Sequence, residues 1–193
     1  YKDAINLMYN IVAQSSNTEI LVHQIVNSEI EYSYPQIVFE KEYKSYLYSY
    51  EENNMILSSI KVGSQYQIVS RKLNNMDRKF EKEEVIDKSK ISYIDFSFLI
   101  NENKKHYLFV DEKEKINRVI YKCKEDGLEK RKILFEKEDI KSCLLIAFNK
   151  DIWAFWICDN KLYGVFSKNN GEDFTCPKIY KEFYNTIPEK ISY

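Results

Sequence analysis

Histidine, cysteine, arginine and glycine supply most metal, nucleophile, oxyanion and phosphate sites, and in this chain each is scarce and scattered. His23 and His106 are the two histidines. Each lies on or beside a predicted strand with no carboxylate or thiol at ligand spacing, so both are expected to face solvent or to be satisfied within the sheet. Cys123, Cys143, Cys158 and Cys176 show no C-x-x-C spacing. They sit among apolar and aromatic residues and are expected as buried free thiols, with one disulfide as the alternative. Gly63, Gly127, Gly164 and Gly171 form no phosphate loop, and neither G-x-S-x-G nor H-E-x-x-H occurs. Acidic residues are abundant but fall mostly in turns, so no glycosidase carboxylate pair can be chosen from them. No catalytic, cofactor-binding or metal residue is assigned, and no cofactor is expected.

The elements that would have to position any chemistry are β-strands. Sixteen Tyr and eleven Phe against four Gly and three Pro favour sheet. A chain of 193 residues that is 44% hydrophobic can bury a core as one domain spanning 1–193. Twenty-nine basic and thirty acidic residues nearly cancel, which leaves no long-range field for nucleic acid or an anionic membrane. The longest apolar stretches, Leu144 to Phe148 and Ile152 to Cys158, fall far short of the roughly 20 residues of a membrane span. The chain opens at Tyr1 rather than Met and is read as a segment of a longer protein. Its heavy use of Lys, Ile, Asn, Glu and Tyr gives the expectation of a low-GC bacterial source, and a cell-surface or extracytoplasmic place is one expectation for it.

Hydrophobic runs and turn residues recur in four-strand units. The clearest, about 142–184, has runs at Ser142 to Phe148, Ile152 to Cys158 and Leu162 to Ser167, then a more polar edge at Lys178 to Phe183. The first three are apolar on both faces, as strands sandwiched between sheets are. Ser92 to Ile100, Tyr107 to Val110, Ile116 to Cys123 and Arg131 to Phe135 repeat the order over about 91–136. Gln36 to Phe39, Tyr46 to Tyr50, Met55 to Val62 and Tyr66 to Leu73 are grouped over about 34–73. A partial copy fills about 1–33, with Ile5 to Ala13, Glu19 to Val26 and an edge near Ile30 to Ser33. Superposing second strands aligns Leu7, Leu47, Leu108 and Ala154, with Asn74 to Lys90 as a charged insertion. Such spacing is that of propeller blades. The expected fold is therefore all-β and β-propeller-like, about three and a half to four blades of four-stranded antiparallel sheets. The tail Ile187 to Tyr193 repeats Ile86 to Tyr93, so the chain is expected to stop as another innermost strand begins. On one strand Trp153, Phe155 and Ile157 share a face while Ala154, Trp156 and Cys158 share the other, and both faces are expected to pack as core.

In the last unit the turn between the third and fourth strands reads Ser167-Lys168-Asn169-Asn170-Gly171-Glu172-Asp173-Phe174. Ser167, Asn169, Gly171 and Phe174 match S-x-D-x-G-x-x-[WF] with Asn for Asp, and this resembles the Asp-box hairpin of sialidase-like β-propellers. The resemblance covers one box; Cys123 to Gly127 is a degenerate second. It implies a structural staple, with Ser and Asn oxygens binding turn backbone, glycine at positive φ and the aromatic packed beneath, far from the family's active centre. The family's chemistry needs a cluster of arginines, a Tyr–Glu pair and an Asp acid. Here Arg71 and Arg131 fall on predicted outer strands, Arg78 in the insertion and Arg118 on a third strand, and no arginine precedes Pro35. No catalytic residue is carried over. The chain is expected to be a noncatalytic β-propeller module binding a partner protein or glycan, with a degenerate or truncated sialidase-like glycoside hydrolase as the alternative. Pairing with another copy through open blade faces is a further expectation.

Overall fold

The structure, a computed structural model, describes residues 4–13, 18–27, 36–39, 43–50, 53–72, 74, 80–125, 127–184 and 188–191, with side chains from Met55 onward. Among the described residues the regular elements are all strands. They form consecutive antiparallel meanders in two compact units, Tyr1–Lys90 and Ile91–Tyr193.

In the first unit β1 (Ala4–Ala13), β2 (Thr18–Asn27) and β3 (Gln36–Phe39) make a three-stranded sheet. A four-stranded sheet follows, with β4 (Tyr43–Tyr50), β5 (Asn53–Val62), β6 (Gln65–Lys72) and β7 (Glu84–Ser89) side by side in that order. Two expectations are corrected here. Gln36 to Phe39 does not open the second unit but closes the first sheet, where Ile37 pairs with Val22. Glu84 to Ser89, read as part of a charged insertion, is a strand paired with β6. It carries Ile86 and Asp87 into the interior, so burial of its middle outweighs its charged flanks. Leu47 accordingly lies on the first strand of its sheet, whereas Leu108 and Ala154 lie on second strands. The edge expected near Ile30 to Ser33 lies outside the described residues.

The second unit pairs β8 (Tyr93–Asn101), β9 (Lys104–Lys113), β10 (Ile116–Glu125) and β11 (Leu128–Lys137) in one sheet. The other holds β12 (Ile140–Phe148), β13 (Asp151–Cys158), β14 (Lys161–Ser167) and β15 (Lys178–Glu182). Its tight hairpins turn on two residues of positive φ: Glu102 and Asn103, Glu114 and Lys115, Asn149 and Lys150, Asp159 and Asn160. That backbone matches the twist of the strands it joins.

Irregularities fix the phase of the repeat. All four sheets shift register between their last two strands, at Leu21/Val22, Ile68/Val69, Val119/Ile120 and Leu162/Tyr163. β3, β7, β11 and β15 are therefore equivalent, and β1 to β3 occupy the second to fourth positions of the four-strand pattern. Within the second unit a second shift opens both first strands, at Tyr93/Asp95 and Ile140/Ser142. Such a bulge re-aims the side chain beside it. Asp95 Oδ2 accepts from Ser142 Oγ at 2.6 Å and from Cys143 N at 3.0 Å, and Ser97 Oγ accepts from Leu145 N at 2.9 Å. Ser142 Oγ in turn accepts from Ile191 N at 3.1 Å. These bonds join residues 47 to 49 apart, one repeat length. Those from Cys143 N and Leu145 N satisfy backbone donors on the edge of β12, which has no ladder partner on that side.

Between the two sheets Phe135 packs on Trp156 and Tyr163 at 5.2 and 5.1 Å between ring centres. Trp156 is fully buried, and burial of a side chain this size is worth on the order of 3 kcal/mol. Trp153, on the opposite face, is only half-buried and stacks on Phe166 at 4.7 Å. The expectation that both tryptophans are core therefore holds fully for Trp156 alone. Gly164 leaves room for this aromatic layer, since a Cβ there would come within 2.6 Å of the Phe155 ring.

Candidate functional site

The sheets β8–β11 and β12–β15 present two ends, and their chemistry differs. At one end lies the turn after β14. Ser167 Oγ accepts from Gly171 N and donates to Asn169 Oδ1, both at 2.8 Å. Asn169 Oδ1 also accepts from Asp173 N at 2.9 Å. Gly171 adopts φ 86°, and a Cβ there would overlap the Tyr121 hydroxyl of the neighbouring sheet. Phe174 is half-buried and meets the Tyr121 ring edge-on at 4.7 Å. Lys130 pairs with Glu172, Lys132 donates to the Glu172 carbonyl, and Lys104 lies 3.7 Å from the Glu172 carboxylate. Lys130 foremost, and Lys104 after it, hold the Glu172 carboxyl below its usual range. Ser167, Asn169, Gly171 and Phe174 thus meet in one turn that is pressed against the adjacent sheet.

Behind this turn Tyr121 Oη and His106 Nδ1 share a hydrogen bond of 2.5 Å. His106 is fully buried and bonded to Tyr121 on the next strand, so of the two expected states the residue satisfied within the sheet holds and the solvent-facing one does not. Burial is the leading cause that lowers its pKa to about 4, and burial raises Tyr121 well above the phenol range. Neither group titrates near neutral pH and neither reaches solvent, so the pair packs and orients rather than transferring protons to a ligand. Cys123, Cys143 and Cys158 are buried free thiols as expected, whereas Cys176 is exposed. Burial pushes the Cys158 thiol up to about 11, which leaves it a poor nucleophile.

At the opposite end a groove of about 790 Å³ opens between the β9–β10 turn, the end of β11 and the β13–β14 turn. Arg118 lines it, with Nε 2.8 Å and Nη2 2.5 Å from the two Asp111 oxygens. Asp111 is fully buried, and the pair sits directly across the β9–β10 ladder. Sequence reasoning passed over this pair, although Asp111 and Arg118 flank the Glu114–Lys115 turn symmetrically and hairpin register alone brings them together. Lys137 pairs with Asp159 across the groove. Among the described residues Lys113, Glu114, Glu136 and Glu138, which also line it, make no ion pair.

The arginines stay dispersed. Arg131 lies on the outer strand β11 and Arg118 on the third strand β10, while Arg71 lies on β6, a third strand and not the outer one expected. Arg78 lies outside the described residues. No group of His, Cys, Asp and Glu among the described residues could hold a metal ion, and none of their helices is long and apolar enough to cross a membrane.

No family model matches the chain, and no curated protein matches it. A solved structure titled for two prolyl endopeptidases and the role of inter-domain dynamics in their catalysis and specificity is similar in fold. Its TM-score is 0.51 at 16% identity, over 88% of this chain and 25% of that one. The chain thus spans about a quarter of the length of the chain it matches, and the likeness is one of fold alone.

Proposed function

We propose that this chain is a noncatalytic β-propeller-like module that binds a partner protein or a glycan through the loops at one end of its sheets. The observation that carries the reading is a repeated step, from β8 to β12 and from β12 to Ile191, in which side-chain oxygens of a first strand accept from backbone N–H groups about one repeat further along the chain. A sheet that passes its edge to a neighbour in this way builds a rigid stack, and rigid stacks carry binding loops at their ends. The fold likeness to part of a much longer chain suits a module. Ser167, Asn169, Gly171 and Phe174 act in it as an Asp-box-like staple, and the turn is held against Tyr121 and Lys130 of the neighbouring sheet.

The test is a glycan microarray and a direct hydrolysis assay on the same protein, with fluorogenic sialosides and neutral glycosides as substrates. Saturable binding without turnover is expected. Turnover of a sialoside would move the chain to the alternative, a sialidase-like glycoside hydrolase.

A further inference from the structure

We propose that the face of the β12–β15 sheet turned away from β8–β11, centred on Trp153, docks the β1–β3 sheet of a second copy of this chain. Such self-association is independent of what the loops bind. The repeat defines the face. Counted from the two first-strand bulges, Ser142 holds the position of Asp95, Phe155 that of Leu108 and Trp153 that of His106. In the β8–β11 sheet these positions are sealed by the sheet that follows: Leu108 and His106 are 0% exposed, and Asp95 and Ser97 bind the β12 backbone. In the β12–β15 sheet Trp153, Phe155 and Phe166 are only half-buried, and Tyr180 beside them is 45% exposed. Their rings form one patch, with neighbouring centres 4.7 to 6.1 Å apart. A contiguous apolar patch of this kind marks an interaction surface.

Two further observations name the occupant. Ser142 Oγ accepts from Ile191 N at 3.1 Å as Asp95 Oδ2 accepts from Cys143 N, so backbone at Ile191 already sits against β12 as β12 sits against β8. In sequence Lys190-Ile191-Ser192-Tyr193 repeats Lys90-Ile91-Ser92-Tyr93, which leads into the first strand β8. The β1–β3 sheet has the complementary gap. It supplies the second to fourth positions of the pattern, and among the described residues β1 pairs with β2 alone. Its other edge is the one that β9 gives to β8 and β13 gives to β12, and an open edge is a template for strand addition. Within one chain the aromatic face and the β1 edge are both left open, so a second copy supplies each with its partner. The contact joins unlike surfaces, is therefore heterologous, and adds copies past a dimer.

The experiment is sedimentation velocity on the 193-residue protein. Over about 1 to 100 μM the mass should rise with concentration and pass that of a dimer, as micromolar association requires. Trp153→Arg sets an unpaired charge in the patch and should weaken association about tenfold or more, with its fold checked by circular dichroism. Tyr180→Glu, on the exposed strand β15, should weaken association with an unchanged melting curve, and it decides the question if Trp153→Arg does not fold. Amine cross-linking of mixed isotope-labelled and unlabelled protein locates the occupant, and mixed-isotope links from Lys178 or Lys181 to Lys2 or Lys41 are expected. Mixed links between two Lys178 residues would show two Trp153 faces paired and overturn β1–β3 as the occupant. A monomer at every concentration, or association that survives both substitutions, would overturn the docking face. None of these outcomes bears on the glycan array, whose failure would touch the module's ligand alone.

Discussion

The two ends of the β8–β11 and β12–β15 sheets are built from the same strands and do opposite things with their polar groups. At the Ser167–Phe174 end Ser167 and Asn169 spend their oxygens on the turn itself, Glu172 pairs with Lys130 of the neighbouring sheet, and Gly171 is pressed against Tyr121. At the groove end Arg118 is fixed from behind while Lys113, Glu114, Glu136 and Glu138 are left to solvent. A closed end has satisfied its groups and contributes stability. An open end keeps its groups available for a ligand. The comparison teaches that the recognisable motif marks the end whose polar groups are spent on the fold, while the other end leaves most of its charged groups in solvent.

The contrast breaks most severely at Gly171. Gly171→Val must leave the left-handed region and displace Tyr121, so unfolding free energy should drop by about 3 kcal/mol or more. Urea denaturation followed by tyrosine and tryptophan fluorescence measures it, and a loss below about 1 kcal/mol would show that the turn is not locked to β10.

Acid should also act at the closed end. His106 is neutral in the fold with a pKa near 4, against about 6.5 when unfolded. The unfolded chain therefore binds the proton first as pH falls. This contribution is fully present above about pH 6.5 and is lost between there and about pH 4, on the order of 2 to 3 kcal/mol. Denaturation at pH 7 and pH 4, compared with His106→Gln, isolates it; equal pH dependence in both proteins would exclude His106 as the cause.

Ser167→Ala removes the acceptor for Gly171 N and the donor to Asn169, and should cost about 1 to 2 kcal/mol because the Gly171 amide is buried. A Tm unchanged within error would dissociate the motif from the stability of the turn.

The smallest effect sharpens the comparison from the other side. Glu136→Gln at the groove should change stability by less than about 0.5 kcal/mol, as solvent-facing substitutions do. A large stability loss there would mean that the groove end is as closed as the other.

Strand positions in the second unit were legible because their runs are long, apolar on both faces and separated by Asn, Asp, Glu and Lys turns. Ser142 to Phe148 and Ile152 to Cys158 were read to within a residue or two of β12 and β13. The phase of the repeat in the first unit was not legible. Hydrophobic pattern marks strands but not which neighbour each one pairs with, and Gln36 to Phe39 suits either partner. β7 was hidden because its charged flanks resemble a solvated linker, and only pairing with β6 buries Ile86 and Asp87.

By itself the sequence determined that this protein is made of strands, that the strands come in repeated meanders and that Ser167 to Phe174 forms a self-bonded turn, because all three depend on residues close together along the chain. The tertiary structure decided that Asp95 and Ser97 cap β12, that His106 is sealed behind Tyr121, and that Glu136 and Asp159 face one groove with Arg118. Those relations join residues tens of positions apart, and their energies arise only when one sheet is laid against the next.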